Sequence, residues 1–289
     1  MGLKDLFSKE GRQERSLHKA CAKAVNKKIK PEDRRPALWT LLEEARAVAR
    51  LQESLQKAKE PEGEQRPKPA EVEQLQAELE TAKRHSEEAV TALLHRFNFI
   101  YDTNMVNDEE EKNMVYDGLV VLGDRILPQV RKYLRSAPTL SWGLRLLSEI
   151  CDHEVTWEVV AEVLQDYDAE YERDPSRKLQ LMTFLGEFED ARSVDALLPF
   201  LGDHDETVRF VTVEALLKQG DERAREPLLQ LMTNEQEESL RIKVRIADGF
   251  CDTGWNTKGF RGTVEKILPA EYVVDGKGRI KLKKAREVE

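Results

Sequence analysis

Cysteine, aromatic residues and long apolar runs are all scarce in this sequence. Its three cysteines, Cys21, Cys151 and Cys251, are an odd, scattered set without metal-ligand spacing. A disulfide framework and a zinc knuckle are therefore excluded, and reduced thiols are expected. No stretch approaches the roughly 18 apolar residues of a membrane span, and the opening MGLKDLFSKEGRQER lacks a signal-peptide core. Those absences lead to a cytoplasmic protein as the expectation. None of the five histidines (His18, His85, His95, His153 and His204) forms an i, i+4 metal pair with another. The glycines of Gly276-Lys277-Gly278 sit in a hairpin signal and not before a helix, so no phosphate loop is present. Cys151-Asp152-His153 are sequence neighbours, which do not face one another on a helix, and so make no nucleophile–base pair. The acids between Asp152 and Asp174 lack the glycine-centred spacing of an EF-hand. No catalytic residue, cofactor or metal site is expected, and the chain reads as non-enzymatic.

What is abundant is charge. Asp, Glu, Lys and Arg make up 35% of the chain, above the roughly 25% of ordinary globular proteins. With only 15 glycines and 11 prolines, this composition calls for helices with wide solvated faces. The net charge of −9 is unevenly spread: residues 1–35 hold eleven Lys/Arg and five Asp/Glu, a balance of +6, which leaves −15 for the remainder. An acidic chain does not offer the broad basic face that non-specific nucleic-acid binding needs. The basic segment could still orient the protein on a partner.

Hydrophobic spacing places the elements. Leu3, Leu6 and Phe7 share one side of a short N-terminal turn expected to pack on the first helix. Arg15–Ile29 is amphipathic, with Leu17, Ala20, Cys21, Ala24 and Val25 on one face and Lys19, Lys23, Lys27 and Lys28 on the other. Residues 1–35 thus form a basic N-terminal helix, and those four lysines are the candidate contacts to an anionic surface. Pro31 and Pro36 are expected to break the chain. Residues 36–97 then read as a long helical hairpin with heptad-like seams (Leu38, Leu41, Ala45, Val48, Gln52, Leu55 against Val72, Leu75, Leu79, Ala82, Ser86, Ala89, Leu93) and a disordered Pro-rich tip at 60–70. Asn107-Asp108-Glu109 signals an N-cap before a helix at Glu110–Leu122.

From there the chain repeats itself. Arg177, Arg209 and Arg241 are spaced 32 and 32 apart, and Gly123-Asp124 and Gly220-Asp221 open equivalent turns. A period in the low thirties with two helices per unit marks an α-solenoid, here of about five helix pairs over 87–254. In the helix Asp205–Lys218, Val208, Val211, Ala215 and Leu216 form one apolar face and Phe210, Val213 and Leu217 a second. Only Arg209, Thr212, Glu214 and Lys218 remain for a polar strip, and a helix apolar on two sides needs two neighbours. Residues 255–289 change pattern: Tyr272–Val274 and Arg279–Leu282 flank Asp275-Gly276-Lys277-Gly278, a β-hairpin expected to cap the last repeat.

Asp203, Asp205, Val208, Arg209, Ala215, Leu216, Gly220, Asp221, Leu228 and Leu231 together resemble a HEAT repeat of the short variety also found in phycobilin lyase subunits. The N-terminal GLKDLFSKEGR and Phe97-x-Phe99-x-Tyr101-Asp102 are similar to bacterial HEAT-repeat proteins, from which the long hairpin departs. The resemblance implies an all-α binding scaffold whose motif Asp and Arg pair from repeat to repeat, making Arg177, Arg209 and Arg241 ladder residues. It implies an unidentified protein partner. Trp142 and Arg145, together with Arg209, Thr212 and Lys218, are the candidate partner contacts. Nucleic-acid or anionic-membrane attachment through the basic N-terminal helix, and a bilin-lyase-like accessory role, are the alternatives; oligomeric state is left open.

Overall fold

The computed structural model describes residues 9–59, 68–101 and 105–283, whose regular elements are helices apart from one two-stranded ribbon. The anchor expected at Leu3, Leu6 and Phe7, and most of the Pro-rich tip, lie outside those residues. The chain divides into two compact units, Met1–Val163 and Leu164–Glu289.

The first unit opens with α1 (Lys9–Ala24), which buries Leu17, Ala20 and Ala24. This helix starts and stops earlier than its spacing suggested. Lys27 and Lys28 fall in the turn that follows, where the Lys28 amide donates to Asn26 Oδ1 at 2.9 Å. The next helix, α2 (Pro31–Lys59), begins at Pro31, which as the first helical residue has no amide to satisfy, and Glu32 and Asp33 favour the positive end of the dipole. Pro36 does not break the chain as expected; it is accommodated inside α2. The carbonyl it strands belongs to Glu32, in the solvent-exposed first turn, so the loss is small.

α3 (Pro69–His95) returns along α2, with Ser86 Oγ donating to Ala45 O at 3.2 Å. Their seam is tightly buried at its base, through Leu38, Leu41, Ala45, Ala89 and Leu93. Towards the tip only Leu55 and Leu79 remain buried. α1 packs against both arms, so the base is a layer of three helices and not the bare two-helix arm expected.

α4 (Met105–Val120), α5 (Leu127–Ser136), α6 (Ser141–Ile150) and α7 (His153–Leu164) follow as two helix pairs. α4 begins five residues before the expected Glu110, and Asp108 is not a solvent-facing cap. Its carboxylate is drawn inward to a buried ionic cluster where α2, α3 and α4 meet. Glu111 Oε2 accepts from Arg34 Nη1 and Arg96 Nε, both at 2.9 Å. Asp108 accepts from Arg96 Nη2 at 2.6 Å, from the Tyr101 amide at 2.7 Å, and pairs with Lys112 at 2.7 Å. The rings of Phe99 and Tyr101 lie 4.7 Å from the Arg96 and 4.4 Å from the Arg34 guanidinium carbon, a favourable packing for a weakly hydrated cation.

The second unit stacks three more pairs: α8 (Ser176–Glu187) with α9 (Ala191–Leu197), α10 (Glu206–Gln219) with α11 (Arg225–Thr233), and α12 (Leu240–Thr253) with α13 (Arg261–Ile267). With the two pairs of the first unit this makes five among the described residues, but the last pair is completed by α13, which lies beyond the expected limit of 254 in the segment read as the cap. Asp205 caps α10 by accepting from the Thr207 and Val208 amides, and Gly220 closes it in the left-handed region (φ 66°). The expected hairpin is present: β1 (Tyr272–Val274) pairs antiparallel with β2 (Ile280–Leu282), and β2 packs on α12. Tyr272 Oη fastens the ribbon to Asp248 at 2.6 Å.

Burial works to raise the Asp108 pKa, but the bonds from Lys112, the Tyr101 amide and Arg96 outweigh it and hold the carboxyl below its ordinary value. A depressed folded-state pKa contributes stability that is complete above the unfolded value of about 3.9 and is lost as pH falls through the lower folded value. Asp108→Asn should therefore cost about 3–5 kcal/mol at neutral pH by leaving buried cations uncompensated. That cost should shrink on acidification below about pH 4. Urea denaturation at pH 7 and pH 3 checks both; an equal cost at the two values would contradict the account.

Candidate functional site

Candidate site residues in the first unit gather around Trp142. Its ring stacks on Phe97 at 5.2 Å between centroids with 3° between planes, and meets the edge of Tyr116 at 5.9 Å. Arg145, one turn along α6, lies over both Tyr116 and Trp142 at 4.5 and 5.5 Å. The structure thus brings this pair together, with Trp142 half-buried and Arg145 exposed at the edge of the cluster. Trp39, on α2, is 51% exposed.

In the second unit the motif residues form a polar ladder. Lys178, on α8, is buried and donates to Asp203 Oδ2 at 2.8 Å and to Glu170 O at 3.0 Å. Arg209 reaches forward to Glu237 with two bonds of 2.7 and 3.1 Å, and to Asp203 O at 2.8 Å. Burial pushes the Glu237 pKa up, but Arg209 and the Ser239 amide pull it further down, so the ion pair persists. Arg241 returns to Glu206 at 2.6 Å. The side chains of the motif Asp203 and Arg209 cross between repeats to Lys178 and Glu237, and the two meet each other only through the Asp203 carbonyl. The Arg177 guanidinium lies 5.7 Å from the Tyr167 ring. Arg209 is thus engaged within the fold. Thr212, placed by its spacing on the polar strip, is buried instead, its hydroxyl donating to Val208 O at 2.8 Å.

Lys218 is exposed, and it marks the feature that sequence reasoning missed. α8, α10 and α12 lie side by side, and a groove of about 430 Å³ runs across all three. Its floor is Gly186, Val211, Ala215, Leu217 and Gly249. Along its rim are the pairs Lys218–Glu187 (3.2 Å) and Arg245–Glu214 (3.3 Å), with Asp252, Thr183 and Thr253 beside them. A second recess adjoins it through Gly186, Glu187 and Lys218, and is lined further by Glu189, Asp190 and Asp221. Together the two linings carry six carboxylates and two cations. Small residues on facing helices were the available signal, but nothing in their spacing says which side of each helix they occupy.

The cysteine chemistry runs against nucleophilic catalysis. Burial, then the neighbouring Glu88, pushes the Cys21 thiol up to about 12, and burial with nearby acids raises Cys151 and Cys251. A reactive cysteine needs the opposite shift. Among the described residues, no group of three or more His, Cys, Asp or Glu side chains could hold a metal ion, and no helix is long and apolar enough to cross a membrane.

The groove floor depends on close helix approach. A Cβ built at Gly186 would lie 2.7 Å from Ala215 Cβ and 2.8 Å from its Cα, whereas one at Gly249 would meet the movable tip of Leu217. Gly→Ala in a helix gains about 0.5–1 kcal/mol in propensity, while overpacking against an unyielding neighbour costs about 1–3 kcal/mol. Gly186→Ala should accordingly lower the urea midpoint, and Gly249→Ala should lower it less or leave it unchanged. The reverse order in denaturation curves would refute this packing.

The comparisons with known proteins bear on the same helices. The family model for HEAT repeats matches residues 169–247, which span α8 to α12. No curated protein and no solved structure matches the chain. The match carries the repeat family and not its phycobilin-lyase variety. Taken with the stacked pairs and their inter-repeat ladder, it identifies residues 169–247 as HEAT repeats within an all-α fold.

Proposed function

We propose that this protein is a non-catalytic scaffold whose groove across α8, α10 and α12 holds a basic segment of a partner protein. HEAT repeats are commonly protein-interaction scaffolds, and the groove gives that general role a specific surface. The observation that carries the reading is the groove's chemistry: an apolar floor laid down by three successive repeats, rimmed by three carboxylates and two cations, with three further carboxylates in the adjoining recess, of which Asp190 and Asp221 are paired with Arg192 and Arg223. The second unit supports it with a wider acidic balance, 26 Asp/Glu against 20 Lys/Arg over residues 164–289. Small apolar side chains of the partner would fill the floor, and its Lys or Arg would meet Asp252 and Glu187. Rim charges chiefly set the association rate and the choice of partner, while the desolvated floor supplies the hold.

Random phage-displayed peptides of about 15 residues, selected on the full chain, test the reading. Selected sequences should combine Lys or Arg with small apolar residues, and calorimetric affinity should fall as salt rises. Glu187→Lys/Asp252→Lys, both at exposed positions, should weaken the best peptide about tenfold or more while leaving the circular dichroism unchanged. Acidic selected peptides, or affinities indifferent to this variant, would place the interface elsewhere.

A further inference from the structure

The basic N-terminal helix has a definite orientation, and with it a surface that the acidic groove does not explain. Arg12, Arg15, Lys19 and Lys23 recur at intervals of three, four and four along α1. At 3.6 residues per turn, that spacing keeps all four within roughly 80° of arc over about 16 Å of axis. Leu17, Ala20 and Ala24, at most 5% exposed, lie on the opposite side against α2 and α3. The flanks of the helix are clamped: Gln13 reaches Glu44 at 3.4 Å, Glu14 pairs with Arg84 at 3.0 Å and His18 with Glu88 at 3.4 Å. Polar bonds on either side of a buried stripe fix the rotation of the helix about its axis, so Arg12, Arg15 and Lys19 are held outward, with Lys23 half-buried at the end of the row. None of the four has an acidic partner among the described residues, although acids elsewhere on the surface are repeatedly paired.

From this we infer that the outer face of α1 is a docking surface for anionic lipid membranes. Four cations on one face of a helix are the pattern by which basic segments recognise anionic headgroups, each contributing about a fivefold gain in partitioning near the surface. The apolar face of α1 is committed to the protein interior, so the helix cannot roll over and insert as free amphipathic helices do. Attachment is then electrostatic, reversible and salt-sensitive.

Two observations favour a lipid surface over a nucleic acid. The stripe is straight and bears no aromatic ring on which bases could stack, the usual complement of a basic track that binds single strands. Beyond residue 35 the chain carries −15, which opposes a polyanion that must follow an extended basic surface. A planar surface needs only one face at a time.

The test is sedimentation of the full chain with large unilamellar vesicles of phosphatidylcholine alone, or with about 30% phosphatidylserine, across a salt series from about 50 to 300 mM. Binding is expected on the anionic vesicles only, falling as salt rises. Lys19→Gln/Lys23→Gln should lower the partition coefficient about 25-fold with an unchanged thermal midpoint, whereas Lys19→Arg/Lys23→Arg should retain binding. The same chain titrated with duplex DNA supplies the competing outcome. Tighter binding to DNA than to anionic vesicles would overturn the inference. So would vesicle binding that ignores the glutamine variant, or no phosphatidylserine-dependent binding at low salt. Peptide capture by the acidic groove has a separate readout, so either proposal can fail alone.

Discussion

A charge removed from water must be met by its partner, and in this protein that constraint is applied at the junctions between helices. Arg34, Arg96 and Glu111 are at most 1% exposed, and Lys178 and Asp203 nearly so. Each sits where one helix hands over to another. Desolvating such groups costs several kcal/mol apiece, and pairing them only roughly returns what was lost. Their net stabilisation is therefore small. Their penalty for misalignment is not: sliding α4 by one residue against α2 would carry Glu111 away from both guanidiniums and leave uncompensated charges in the interior. Such pairs act chiefly to reject wrong registers.

Attraction between repeats comes instead from apolar surface. α10 buries Val208 and Leu216 completely and Val213 likewise, with Ala215 and Leu217 nearly so, and each large side chain removed from water contributes about 1.5–3 kcal/mol. Because such contacts are non-directional, they would tolerate several packings of α8 against α10. The Lys178–Asp203 and Arg209–Glu237 pairs select one of them, as does the close meeting of Gly186 with Ala215. The groove follows from that selection. Helices that meet through glycine and alanine leave a shallow floor between them, rimmed by Thr183 and the Glu214–Arg245 pair.

How far the sequence discloses this depends on whether a feature is periodic. The stack, the Gly220 turn and the terminal hairpin are all legible, because each follows from local spacing or from one residue's backbone preference. Thr212 is not: periodicity groups it with Arg209 as polar, but a hydroxyl can satisfy itself on the preceding turn and be buried where a longer polar side chain could not. Lys178 and Glu237 are missed for the complementary reason. Composition marks them as surface residues, and only the approach of Asp203 and Arg209 from neighbouring repeats, 25 and 28 residues away, makes their burial tolerable. Pro36 and Asp108 show the same limit at helix starts, where tertiary partners move a boundary by five residues.

The two exposed charged surfaces also differ in origin, which bears on how each could work. The carboxylates of the groove lie beside cations already engaged by a neighbouring repeat, Lys218 with Glu187 and Arg245 with Glu214. A basic partner there exchanges one set of ion pairs for another, a nearly balanced trade that favours selectivity over strength. Arg12, Arg15, Lys19 and Lys23 of α1 have no such acidic partners to give up among the described residues. An anionic surface meeting them displaces only water and salt, so the cost of contact is low and its strength follows ionic conditions directly. The selective capture proposed for one unit and the conditional attachment proposed for the other thus differ according to whether the protein has already satisfied the charges it displays.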